Sequence, residues 1–303
     1  LREDHPMTTA TAAVRAALLA AIAAPAFADQ PVEIRFAGEF GGAPFSCANA
    51  HEGVGATGST VEVADYRLYV SNIRLIGTDG AETPVALEQD GAWQLGDVAL
   101  LDFEDGSGSC VNGTPPMNTT VRGTAPAGAY AGLAFDVGVP FAVNHGDPTL
   151  MGSPLNLTAM FWNWQGGYKF VKLDLATAGQ PMAAMQTASD HAGGGASNMA
   201  RGWSLHLGST GCASASKTTS PGAECANPNR MSIRFDRFDP AANVVVIDPA
   251  PVLAGANVDV NAPETSPGCM SFPGDADCLP VMTRLGLAYD GVAEGAQQLV
   301  SMR

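Results

Sequence analysis

This chain is short of charge, and shortest of positive charge. Lys and Arg together number 15 of 303 residues against 30 Asp and Glu, a formal net charge of −15. Nucleic acid and anionic membrane surfaces are gripped through clustered cations, so neither is expected as a partner. With only 15% charged residues, there is little material for helices laced with surface ion pairs. C-x-x-C pairs are missing, as are H-E-x-x-H and the phosphate-cradling P-loop, so the signatures of zinc ribbons, zinc proteases and nucleotide enzymes are absent. Gly208-Ser209-Thr210-Gly211 is not a G-x-S-x-G elbow and lacks a strand-turn-helix context. No enzymatic activity is expected. The apolar run Ala16 to Ala24 is too short to cross a bilayer, and nothing later approaches that length, so no membrane insertion is expected.

What the chain does contain is glycine, proline and paired cysteine: 35 Gly, 21 Pro and 6 Cys. Met7, Arg15, the Ala16–Ala24 run and Ala26-Phe27-Ala28 before Asp29 form the pattern of an export signal with an A-x-A cleavage site. Residues 1–28 are therefore expected to be an upstream extension plus a removed signal peptide. The mature protein is then exported, and periplasmic. In an oxidising compartment six cysteines read as disulfides. Short intervals favour Cys212–Cys225 and Cys269–Cys278, which leaves Cys47–Cys110 as the long-range bridge among fifteen formal pairings.

Alternating segments separated by Gly, Pro and Asp turns predict an all-β chain. They are Val32–Gly38, Asp65–Ile76, Ala134–Val139, Lys169–Leu175, Gly202–Leu207, Met231–Phe235 and Asn243–Ile247. Short helical pieces are expected near Asn156–Phe161 and Asp277–Gly286. The expected architecture is one β-sandwich-like domain over 29–303 with long loops, including a flexible Met-, Gly- and Ser-rich loop near 177–201.

The segment Met160-Phe161-Trp162-Asn163-Trp164-Gln165-Gly166-Gly167-Tyr168 holds two of the four tryptophans. Strand alternation predicts both indoles on one face, with Met160 beside them if the strand extends that far. Asn144-His145-Gly146-Asp147-Pro148 precedes it, and Trp203-Ser204-Leu205-His206 follows it. Trp203 and His206 are predicted to face opposite ways. Asp147 is placed to orient the His145 ring. Imidazole is the commonest transition-metal ligand and suits copper. An intact indole is a donor through N–H alone. Oxidative opening to kynurenine would supply an aromatic amine and a ketone.

Together these stretches, with Asp65-Tyr66-Arg67-Leu68-Tyr69-Val70-Ser71-Asn72, Ser153-Pro154-Leu155-Asn156, His206-Leu207-Gly208-Ser209-Thr210-Gly211-Cys212 and Gly268-Cys269 to Cys278, make the chain similar to a known family over roughly 31–288. It resembles the MbnP-like periplasmic copper-binding proteins, first noted in methanobactin operons as the four-cysteine member of the metallo-mystery pair. The resemblance implies a copper site that depends on conversion of the first tryptophan of W-x-W, here Trp162, to kynurenine. It also implies the oxidising partner, a dihaem relative of cytochrome c peroxidase (MauG-like). This chain has two cysteines beyond the family's four.

Our own choice of ligands beside Trp162 is His145 and His206, with His51 in reserve and Met160 as a soft donor for Cu(I). Trp164 and Asp147 are expected to line the site. The expected function is copper homeostasis in the periplasm. A rival reading is a secreted adhesion or sugar-binding sandwich, with Trp162 and Trp164 as an aromatic platform and no metal. A third places copper on His191 and the methionines Met182, Met185 and Met199.

Overall fold

The computed structural model describes residue 1 and residues 28–111, 113–179 and 202–303. The proposed export segment, apart from Ala28, and the His191 loop with its methionines lie outside the described residues. Two sheets face one another. The smaller has six strands in the order Val300–Met302, Val245–Ile247, Asp29–Phe40, Thr120–Pro126, Ala86–Leu87, with Ala43–Pro44 paired onto Asp29–Phe40. The larger has eleven strands along the path Met231–Phe235, Tyr130–Val137, Ser59–Gly77, Gly167–Thr177, Trp203–Gly208, Gly268–Cys269. The 19-residue strand Ser59–Gly77 is its spine and also pairs with Ala50–Val54, Glu82–Pro84 and Val98–Asp102. Among the described residues no helix is long and apolar enough to cross a membrane.

Each predicted strand is present, and Met231–Phe235 begins and ends where its alternation does. The expected helical pieces are a 3-10 turn at Thr158–Met160, an α-helical turn at Leu279–Met282 and a 3-10 turn at Thr283–Leu285. Two further four-residue helices, Phe141–Asn144 and Ala250–Leu253, have no apolar period long enough to read. All three favoured disulfides are formed: Cys47–Cys110, Cys212–Cys225 and Cys269–Cys278.

Side-chain alternation along the spine strand sorts its residues into two faces. Tyr66, Leu68 and Val70 point between the sheets, where the Tyr66 hydroxyl donates to the Ile247 carbonyl at 2.7 Å. The Phe36 and Phe135 rings meet edge-on at 5.8 Å. Asp65 and Arg67 occupy the other face. The register sets Arg67 opposite Lys172 and Asp65 opposite Asp174, then Lys172 opposite His206 and Asp174 opposite Ser204 on the next strand. Asp65, Arg67, Lys172, Asp174 and His206 are all buried. Charge in a low-dielectric interior is tolerated only when paired, and this group is paired throughout. Arg67 and Lys172 both contact the Asp65 carboxylate. Lys172 lies 3.0 Å from Asp174, and Arg67 lies 3.2 Å from the buried Glu104.

Candidate metal centre

Trp162 lies on a strand of only three residues, Phe161–Asn163, paired with the start of Gly167–Thr177. The strand stops because the Asn163 side-chain oxygen accepts the Gly166 N–H at 2.8 Å and closes a turn. Trp164 falls in that turn, so strand alternation does not carry it to the face of Trp162. Trp164 packs against the apolar core. Trp162 leans over the neighbouring strands instead. A Cβ on Gly208 would come within 2.5 Å of its Cζ3 and 2.8 Å of its Cη2. Only a glycine admits the ring so close to the backbone. Phe272, 47% exposed, forms the other wall, its ring 5.5 Å from the indole at 34°. Both indoles are half-buried.

His206 precedes Gly208 by two positions on one strand, and alternation puts both on the face that Trp162 covers. As expected, Trp203 points the other way, fully buried in the core. The His206 Nε2 N–H donates to Asp174 Oδ1 at 2.7 Å, and Ser204 Oγ donates to the same oxygen at 2.7 Å. That contact puts the proton of the neutral ring on Nε2 and leaves the lone pair on Nδ1. Nδ1 is buried and has no hydrogen-bond partner among the described residues. Burial lowers the His206 pKa against the pull of Asp174, with Lys169 and Lys172 adding to the lowering. Burial opposes ionisation of Asp174, but Lys172 and His206 hold its carboxyl well below the usual range. The segment bearing Phe272 is tied to this strand through Ser271. Its hydroxyl donates to the His206 carbonyl at 2.9 Å and accepts from the Gly208 N–H at 3.3 Å.

His145 caps the short helix Phe141–Asn144. Its Nδ1 N–H donates to the Trp164 carbonyl at 3.0 Å, and its Nε2 accepts from Asn144 Nδ2 at 3.1 Å. Asp147 does not orient this ring; it accepts from the Thr149 N–H and hydroxyl and closes its own turn. The Nε2 atom also lies 3.6 Å from the sulfur of Cys225. His145, Cys212 and Cys225 present ligand atoms within 4.8 Å of one another, the one such trio of His, Cys, Asp or Glu donors among the described residues. Both sulfurs are committed to the disulfide. Among the described residues no hydrogen bond or ring contact joins His145 to Trp162 or to His206. The two regions nonetheless adjoin, since Asn144 donates to the Ser209 hydroxyl at 3.3 Å, immediately after Gly208.

His51 sits apart, stacked on Phe40 at 4.4 Å and beside a cavity of about 320 Å³. Met160 is buried in the core at the end of the Thr158–Met160 turn. The strand begins one residue later, at Phe161, so alternation does not carry Met160 to the face of Trp162. Asp174, Gly208, Ser271 and Phe272 were not among the residues expected at the site. Their roles come from register and from a distant loop, which leave no local mark in the sequence.

The sequence profile of MbnP matches residues 29–271. The chain belongs to the MbnP family. It is similar to the solved structure of MbnP from Methylosinus trichosporium, with 33% identity and a TM-score of 0.75, over 91% of this chain and 98% of that one. No curated protein sequence matches the chain. Membership in the MbnP family joins the strand carrying His206, the Trp162 segment and the first bridging cysteines within one matched region. All of them lie inside 29–271.

Proposed function

We propose that this member of the MbnP family is an exported copper-binding protein. It holds Cu(I) between His206 and the residue at position 162 once that tryptophan has been opened to kynurenine. The observation that carries the reading is the buried His206 Nδ1, without a hydrogen-bond partner and held in its tautomer by Asp174. A soft or borderline metal takes a neutral imidazole, and a carboxylate behind the ring fixes its direction and raises its basicity. Copper, when bound, supplies a univalent cation for which that nitrogen is a suitable donor.

The chain's own residues prepare the position. Gly208 gives the Trp162 ring room, and the half-buried ring keeps some surface for an oxidising partner to meet. Opening the indole removes one carbon and adds one oxygen. The oxidising equivalents are assigned to a dihaem protein related to cytochrome c peroxidase. The chain acts in copper homeostasis as a binding protein and not as a catalyst. The three disulfides accord with an exported, periplasmic location.

The test is to produce the protein with and without the dihaem partner, map the Trp162 peptide by mass and measure copper. The expected result is a peptide with one carbon fewer and one oxygen more, with copper in that sample alone and lost in His206→Ala. Equal copper in both samples, or full retention in His206→Ala, would overturn the assignment.

A further inference from the structure

The His145 ring also meets a disulfide, and that contact has its own chemistry. Its Nδ1 proton is engaged by the Trp164 carbonyl, so Nε2 carries the lone pair, and Nε2 lies 3.6 Å from the Cys225 sulfur. The Cys212 sulfur belongs to the same 4.8 Å group. While the bridge is closed, neither sulfur can act as a thiolate. We propose that Cys212, Cys225 and His145 form a second, redox-gated soft-metal site, closed as a disulfide and able to bind one Cu(I) once reduced.

The step balances with a dithiol as reductant. A thiolate of the dithiol attacks one sulfur of the bridge and the other leaves. The second thiol of the reagent then displaces the protein. Two electrons and two protons pass to Cys212 and Cys225, and the reagent becomes a cyclic disulfide. Binding of one Cu(I) to two sulfurs and Nε2 releases the two thiol protons. Thiolate and imidazole are the donors that univalent copper prefers.

Three features favour this bridge and this trio. Cys212 is the least buried of the six cysteines, intermediate where the other five are buried, so a reductant reaches this bridge most directly. The two cysteines are also held together independently of their bond. The Thr210 N–H donates to the Asn227 carbonyl at 2.9 Å, the Asn227 N–H returns to Thr210 at 3.0 Å, and the Ala226 N–H donates to Gly211 at 3.2 Å. Breaking the bridge therefore leaves the sulfurs side by side. Finally, the ring can exchange partners without orphaning a buried group. Asn144 Nδ2, which donates to Nε2, has a second acceptor in Ser209 Oγ at 3.3 Å. Ser220 donates to the His145 carbonyl at 2.6 Å and pins the intervening loop over the histidine.

The site does not depend on Trp162, and the test uses the full chain made without any oxidising partner, so that Trp162 stays intact. The protein is treated with dithiothreitol without oxygen, desalted and titrated with Cu(I) against a chromophoric chelator. Alkylation and peptide mass mapping then identify which cysteines opened. The expected result is Cys212 and Cys225 labelled first, with one Cu(I) per reduced chain and none at this site in the oxidised chain. A thiolate-to-copper absorption in the ultraviolet should accompany binding. His145→Gln keeps the disulfide and the fold and should weaken Cu(I) binding at least tenfold. Cys212→Ser with Cys225→Ser should abolish it. Three outcomes would each overturn the proposal: a reduced chain that takes no more copper than the oxidised one, affinity unchanged in His145→Gln, or uptake unchanged in the double serine variant. Copper bound equally by the oxidised chain, whose Trp162 is intact, counts against this site and also against the requirement for kynurenine, whereas unchanged binding in His145→Gln or in the double serine variant counts against this site alone.

Discussion

Asp174 and His206 meet diagonally across two strands. Register pairs Asp174 with Ser204 and Lys172 with His206, yet the 2.7 Å contact runs from the carboxylate to the imidazole one step along. Asp174 therefore shares its two oxygens between a cation and a ring, Oδ2 to Lys172 and Oδ1 to His206. Replacing it by Asn keeps the size and an acceptor but removes the charge behind the ring. Asp174→Asn is expected to weaken Cu(I) binding by about 10–100-fold. Competition titration of the matured protein, with circular dichroism to verify the fold, measures it.

Gly208 is the floor beneath Trp162. Gly208→Ala would set a methyl 2.5 Å from the ring, so the indole must lift. Overpacking of this kind costs about 1–3 kcal/mol. Thermal denaturation should register that loss, and yield of the oxidised Trp162 peptide should fall. An unchanged melting temperature and full conversion would refute the packing described.

Stability should decline as the solution becomes alkaline. Burial pushes the Glu104 carboxyl up from 4.5 to about 8, with Asp65 adding to the rise and Arg67 opposing it. Burial likewise raises Asp102 from 3.8 to about 7. Between the ordinary carboxylate range and these values the folded chain holds protons that the unfolded chain has lost, so folding weakens as pH rises. Asp65 and Asp174 act in the opposite sense. Burial opposes their ionisation, but cationic neighbours hold both low. Their contribution is present above 3.8 and fades in acid. Stability should therefore peak near the ordinary carboxylate range. Glu104→Gln should leave it unchanged there and raise it at pH 8 by up to about 4 kcal/mol. Urea denaturation of both proteins across that range decides it.

Lys172 is the cation shared by Asp65 and Asp174. Lys172→Met takes one cation from two buried carboxylates, leaving Asp65 to Arg67 and Asp174 to His206 and Ser204; loss of one member of a buried pair costs about 3–5 kcal/mol. The same variant should also raise the His206 pKa, since Lys172 is among the charges that lower it. The imidazole proton resonances followed by NMR across pH report that second effect.

The strands were legible because alternation is local. Met231–Phe235 reads residue by residue, and the i to i+3 spacing correctly sends Trp203 and His206 to opposite faces. Disulfides followed from compartment and interval. Alternation could not be carried through W-x-W because one side-chain hydrogen bond, from the Gly166 amide to Asn163, ends the strand before Trp164. The burial of Asp65, Arg67, Lys172 and Asp174 is not legible in the sequence, because alternation cannot say what lies over a polar row. Asp174 and Ser271 reach the candidate site only through register and loop docking. Asp147 stands two residues from His145 in sequence, whereas the carbonyl that holds the ring belongs to Trp164.

The small sheet joins distant parts of the chain. Asp29–Phe40 pairs with Thr120–Pro126 on one side and in parallel with Val245–Ile247 on the other, and Val300–Met302 closes the edge. During synthesis the first of these strands has no lateral partner on one side until some two hundred further residues have emerged. Such distant pairings form slowly. The small sheet therefore cannot close until the last third of the chain has been made, and its edge strand Val300–Met302 is among the last segments to emerge.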